Sequence, residues 1–129
     1  MYFKNIFKNK KIIITGHTGF KGSWLTLWLE ILGAKTYGIS LNDPSLVSHF
    51  KIIKSNLKVK SYKADINNQT KIFKIINEIK PDFIFHLAAQ ALVNKSYEDP
   101  LNTFKTNAIG SANIMNAVKN LKNSPIVIM

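Results

Sequence analysis

Apolar and polar positions change rhythm repeatedly along the chain. Lys11–Thr15 (KIIIT) is a β-branched run ending in glycines, the pattern of a buried strand. From Ser23 to Leu32, Trp24, Leu25, Trp28, Leu29 and Leu32 recur at helical spacing and Gly33 supplies a stop, so a helix burying that stripe is expected. Ala34–Ser40 reads as a second strand closed by the turn residues Asn42, Asp43 and Pro44, and Ser45–Lys54 as a weaker helix. Lys58–Ala64 is a third strand. Asn67 or Asn68 caps a helix over Thr70–Ile79, where Ile72, Ile75, Ile76 and Ile79 share one face, and Pro81 breaks it. Asp82–Leu87 (DFIFHL) is continuously apolar, as in a strand covered on both faces. Leu101–Leu121 predicts a long helix with the stripe Phe104, Ala108, Ala112, Met115 and Val118. Pro125–Met129 (PIVIM) begins a fifth strand.

Strands and helices alternating at such short spacing predict a parallel sheet built from βαβ units. There is no internal repeat, low-complexity linker or charge block. The fifth strand is apolar to its last residue, which leaves an unpaired apolar edge. The expectation is therefore the front portion of a longer protein, cut inside that strand.

Composition narrows the choices. The 129 residues, 46% of them apolar, suit one domain with its own core and leave no room for a separate substrate domain. The absence of Cys excludes a disulfide framework and a thiolate metal site and fits a reducing cytoplasm. No apolar run approaches the ~20 residues that cross a bilayer, and MYFKNIFKNKK lacks the apolar stretch of a signal peptide. The net charge of +11 raises a nucleic-acid reading. Against it, the lysines are scattered from Lys4 to Lys122, with Lys10-Lys11 the one adjacent pair, and no Arg offers a bidentate fork. We expect no nucleic-acid partner and no membrane, only a solvated lysine-rich face that also attracts anionic ligands.

Candidate chemistry begins at Thr15-Gly16-His17-Thr18-Gly19-Phe20-Lys21-Gly22, three glycines spaced three apart between a strand and a helix. Gly16 suits a tight turn, Gly19 a backbone approaching a pyrophosphate, and Gly22 close packing of the helix on the strand. The helix N-terminus behind them presents free N–H groups to phosphates. Thr18, Phe20 and Lys21 belong to the same loop; Lys21 is open between a phosphate contact and one more solvated lysine. Histidines 17 and 86 read as structural, and with acids sparse no metal site is visible.

The pattern TGxxGxxG resembles the extended short-chain dehydrogenase/reductase superfamily. Within it, TGHTGFKGSWLTLWL is closely similar to the start of CDP-glucose 4,6-dehydratases. His86–Gly110 (HLAAQALVNKSYEDPLNTFKTNAIG) fits a pattern that sugar-nucleotide dehydratases and epimerases share more widely. The resemblance covers nearly the whole chain. It implies a Rossmann-type, doubly wound parallel sheet and an NAD-binding domain over residues 1–129. Gly16, Gly19 and Gly22 match the pyrophosphate loop. Asp65 matches the acid that contacts the adenine amino group, with Ile66 packing on the ring; taken by itself, an Asp there also suits a turn or a helix cap. Ala88, Ala89 and Gln90 match the segment beside the ribose and nicotinamide, although two alanines equally suit tight packing. Asn107 matches the helix Asn supporting the proton relay. On the apolar stripe it needs a hydrogen-bond partner, and a neighbouring backbone group would serve. Ser96 and Thr106 are weaker candidates for lining the pocket.

The resemblance further implies CDP-glucose as substrate, a lyase that passes through oxidation at C4, loss of water and hydride return to C6, a cytoplasmic setting and a homo-oligomer. Two departures matter. The second strand ends Gly38-Ile39-Ser40-Leu41 without the acid that marks NAD; Asp43 is the nearest, and no Arg awaits a 2′-phosphate, though a lysine could, which leaves NADP open beside NAD. The superfamily's Tyr-x-x-x-Lys pair is also absent, since Tyr2, Tyr37, Tyr62 and Tyr97 are followed four residues on by Ile6, Leu41, Ile66 and Leu101. An inactive isolated chain is therefore expected. Other readings are a stand-alone nucleotide-binding module with a separate C-terminal partner, or a GDP-mannose dehydratase or epimerase.

Overall fold

The computed structural model describes residues 2–41 and 47–129. The turn expected at Asn42, Asp43 and Pro44, and the start of the helix expected from Ser45, lie outside the described residues. Five strands, β1 (Lys11–Thr15), β2 (Lys35–Ser40), β3 (Lys60–Lys63), β4 (Phe83–His86) and β5 (Ile126–Ile128), form one parallel sheet in the order β3-β2-β1-β4-β5. That order, with helices on both faces, is the Rossmann-type arrangement expected. The helices are α1 (Phe20–Ile31), α2 (His49–Ile53), α3 (Gln69–Ile79), α4 (Val93–Glu98), α5 (Pro100–Phe104) and α6 (Gly110–Val118). A π turn, Lys105–Ile109, joins α5 to α6 without a break. Among the described residues no helix is long and apolar enough to cross a membrane.

The alternation of side chains along β1 divides the core. Ile13 points to the face covered by α3 and α6, where it joins Ile39, Ile72, Ile75, Ile76, Ile84, Ile114 and Ala117. Ile12 and Ile14 point to the other face, with Leu29 of α1. The first layer is thick because α3 presents four isoleucines on one face, as its spacing predicts. Asn68 caps α3 by accepting from the Lys71 N–H, and Lys80 closes it in the left-handed region before Pro81. Gly33 likewise ends α1 at φ +83°.

Three expectations about faces need correction. Of the tryptophan–leucine stripe of α1, Leu29 enters the core with Leu25 packed beside it, but the two tryptophans do not. Gly22, Ser23 and Thr26 are buried with Leu29, while Trp24 and Trp28 are half exposed. The Ser23 and Thr26 hydroxyls donate to the carbonyls of Phe20 and Gly22, so these polar residues bury at little cost and let the helix lie close. Along the long helix, Phe104, Ala108, Ala112 and Met115 face outward and Val118 is half buried; Gly110, Asn113, Ile114 and Ala117 are buried instead. β4 is covered fully on one face only: Phe83 and Phe85 stay half buried on the thinner side, against Phe7.

Candidate functional site

β1 and β4 lie side by side at the centre of the sheet, but the units that follow them build outward in opposite directions. Their C-terminal ends therefore open a crevice, the place where such sheets hold ligands. The glycine loop forms one wall and residues 87–90 the other.

Gly16 turns the chain at φ +73°, and its N–H donates to the Ile39 carbonyl at 2.7 Å. A Cβ there would stand 3.0 Å from the Ala88 nitrogen, so both walls touch at this residue. At Gly22 a Cβ would overlap the Gly16 carbonyl oxygen and lie 2.8 Å from the Gly16 carbonyl carbon and His17 Cα. The crowding is within the loop itself, tighter than helix-on-strand packing requires. Gly19 is the N-cap of α1, makes no side-chain cap and donates to the Gly16 carbonyl. The amides of Phe20, Lys21 and Gly22 thus begin the helix without intrahelical acceptors. Phe20 and Lys21 are exposed and Thr18 is buried. His17 turns inward: its Nε2 lies 2.8 Å from Ser61 Oγ in the stretch forming β3, and its ring meets Phe50 of α2 edge-on at 5.1 Å. That anchor is structural, as expected.

Across the crevice, the Leu87 and Ala88 amides both donate to Thr15 Oγ1 at 3.1 Å. Ala88 is half buried and Ala89 exposed. Gln90 is gripped through its backbone: its N–H donates to Asn107 Oδ1 at 2.8 Å and its carbonyl accepts from Asn107 Nδ2 at 3.1 Å. The Gln90 side chain is occupied too, donating to the Leu92 carbonyl and Thr103 Oγ1 and accepting from the Leu92 N–H. Asn107 sits in the π turn and is exposed, which corrects its expected burial on an apolar stripe. The backbone partner anticipated for it is present.

Asp65 follows β3, two strands from β1. One carboxylate oxygen accepts from the Asn67 N–H at 2.8 Å in a local turn, and the other has no protein partner among the described residues. Ile66 is 5% exposed, its side chain turned against Gly110 and its carbonyl accepting from Asn113 Nδ2. Thr106 accepts from Asn67 Nδ2 at 3.3 Å. Ser96, Pro100, Thr103, Phe104, Asn107 and Ala108 line an open hollow of about 430 Å³ beside the Gln90 clamp.

Sequence reasoning missed a chain of hydrogen bonds behind these walls, buried at its Thr15–His86 end. His86 Nδ1 lies 2.7 Å from Thr15 Oγ1 and His86 Nε2 lies 2.9 Å from Ser111 Oγ, which donates to the Asn107 carbonyl at 2.7 Å. Burial lowers the His86 pKa from its ordinary value. Nothing local in the sequence pairs residues so far apart.

The family model for GDP-mannose 4,6-dehydratase matches residues 13–129. The chain belongs to this family. It is 42% identical over 128 residues to CDP-glucose 4,6-dehydratase of Salmonella typhimurium, covering 99% of this chain and 36% of that protein. Epimerase Mth375 from Methanothermobacter thermautotrophicus superposes with a TM-score of 0.78 at 23% identity, over 92% of this chain and 34% of that one. UDP-glucose 4-epimerase from Thermus thermophilus, solved in complex with NAD, gives 0.70 at 26% identity over 83% and 33%. The chain spans about a third of the length of these family relatives.

Proposed function

We propose that this chain forms the NAD-binding part of a CDP-glucose 4,6-dehydratase. The observation carrying the reading is the cradle at the β1–β4 crevice. Gly22 and Gly16 leave no room for a Cβ, and the loop they shape opens onto the uncapped start of α1. Such a cradle suits a pyrophosphate, because backbone amides and the helix dipole meet its charge at short range. The choice of CDP-glucose rests on the 42% identity and on the loop TGHTGFKG.

Bound NAD would supply the hydride chemistry of the reaction, oxidation at the sugar C4 and reduction at C6. This chain's residues bind and orient. The amides of residues 20–22 face the pyrophosphate, with Lys21 adding charge. The carboxylate oxygen of Asp65 left free by its turn would accept from the adenine amino group, while Ile66, buried against Gly110, offers the ring little surface. Ala88, Ala89 and Gln90 pass beside the ribose and nicotinamide, and Asn107 fixes that segment through the Gln90 backbone, supporting a proton relay completed by residues this stretch does not contain. No Tyr here carries a Lys four residues on.

Calorimetric titration tests the reading. We expect the 129-residue chain to bind NAD, and Gly22→Ala to weaken binding by at least about tenfold, since the new methyl displaces the Gly16 carbonyl. An NAD affinity unchanged by Gly22→Ala would sink the cradle. Incubation of the chain with NAD and CDP-glucose should give no 4-keto product, and its appearance would refute the division of labour.

A further inference from the structure

His86 ends β4 and is 7% exposed, and the binding surface just described makes no direct use of it. Counting donors and acceptors fixes the ring's protonation. The Asn107 carbonyl can only accept, so the Ser111 hydroxyl spends its proton there, and a Ser111 lone pair receives a proton from His86 Nε2. Thr15 Oγ1 already accepts from the Leu87 and Ala88 amides, so its own proton goes to His86 Nδ1. One arrangement satisfies every partner: neutral imidazole with the proton on Nε2.

We propose that His86 is a positioning residue which, through Thr15 and Ser111, ties the π turn bearing Asn107 to the end of β1 that carries the glycine loop. The inference rests on the nucleotide-binding reading above. Its physical content is a closed circuit. From the Ala88 amide it runs through Thr15, His86 and Ser111 to the Asn107 carbonyl, and the Asn107 side chain returns it to the Gln90 backbone. Residues 88–90 are thereby held at both ends, one pinned to the end of β1 and the other to the π turn. A phenyl ring would fill the same space yet leave the buried Thr15 hydroxyl proton without an acceptor and break the link to Ser111. Burial keeps the ring in its neutral form at pH 7.

The test uses the 129-residue chain labelled with 15N. Long-range proton–nitrogen spectra should give His86 the signature of a protonated Nε2 and a bare Nδ1; the opposite tautomer overturns the proposal. Ser111→Ala should shift the Asn107 side-chain amide resonances and weaken NAD binding about fivefold, the usual worth of one hydrogen bond. Ser111→Thr, which keeps a hydroxyl, should restore both. An unmoved Asn107 amide, or an unchanged NAD affinity in Ser111→Ala, overturns the positioning role. Failure of the unsubstituted chain to bind NAD defeats the nucleotide reading alone, because the tautomer and the Asn107 resonances still decide whether the tie exists.

Discussion

A histidine that must stay neutral leaves a trace in acid. His86 is buried, so its pKa in the folded chain lies below the ordinary 6.5, while the unfolded chain titrates near that value. As pH falls, the unfolded state takes up the proton first, and the equilibrium shifts toward it. Stability from this residue is therefore whole above about pH 6.5 and declines below it until the folded ring itself titrates. Thermal midpoints measured from about pH 7.5 to about pH 5 should fall more steeply in the natural chain than in His86→Gln, and parallel slopes would contradict this. At this scale the glycines were legible, because backbone that crowds against itself admits no other residue. Asn107 was legible as a polar group in need of a partner. The triad of Thr15, His86 and Ser111 was not, because its members come from three separate elements and each is ordinary where it stands.

Helices were easier to locate than to orient. The extents of α1 and α3 came out within three residues of expectation, and α3 faced as its isoleucines required. α1 kept only Leu25 and Leu29 of its stripe toward the core, and the long helix through α6 turned another face, for one shared reason. Their buried sides are small or hydrogen-bonded, with Gly22, Ser23 and Thr26 on one and Gly110 and Asn113 on the other. Hydropathy ranks such residues as solvent-facing, yet they allow the closest approach. Gly110 makes the point testable. Alanine there gains about 1 kcal/mol of helix propensity, but its Cβ would sit 2.6 Å from Ile66 Cδ1 and 2.7 Å from Ile66 Cγ1, in a packed core. Overpacking of that kind costs roughly 1–3 kcal/mol. We expect Gly110→Ala to lower the urea midpoint, and a raised midpoint would show that Ile66 moves aside. The π turn and α4 had no sequence signature: the first inserts a residue without changing composition, and the second is short and largely exposed.

For the whole molecule, the parallel sheet followed from the alternation of elements and its doubly wound form from the family resemblance; the structure adds the order β3-β2-β1-β4-β5, one of the few that right-handed crossovers allow. The unequal thickness of the two layers followed from neither. It depends on which helices find a face to cover, and the pattern of a single strand does not carry that. The inequality predicts a gradient of local stability. β1 is paired on both edges and its isoleucines are fully buried, whereas among the described residues β5 pairs only with β4, and its Ile126 and Ile128 stay exposed. Amides of Ile12–Ile14 should exchange with solvent at least about tenfold more slowly than those of β5. Equal protection across the sheet would contradict the gradient.

The inward turn of His17 has a consequence for how this chain can change over generations. A Cβ on Gly38 would fall inside the His17 ring, so the empty space at β2 and the imidazole in the glycine loop are two halves of one lock. Neither strand nor loop can drift alone. A larger residue at position 38 becomes tolerable only after position 17 has shrunk, and a histidine can return only once 38 is glycine again. Descendants of this sequence should therefore carry the two substitutions in a fixed order, with the loop changing before the strand.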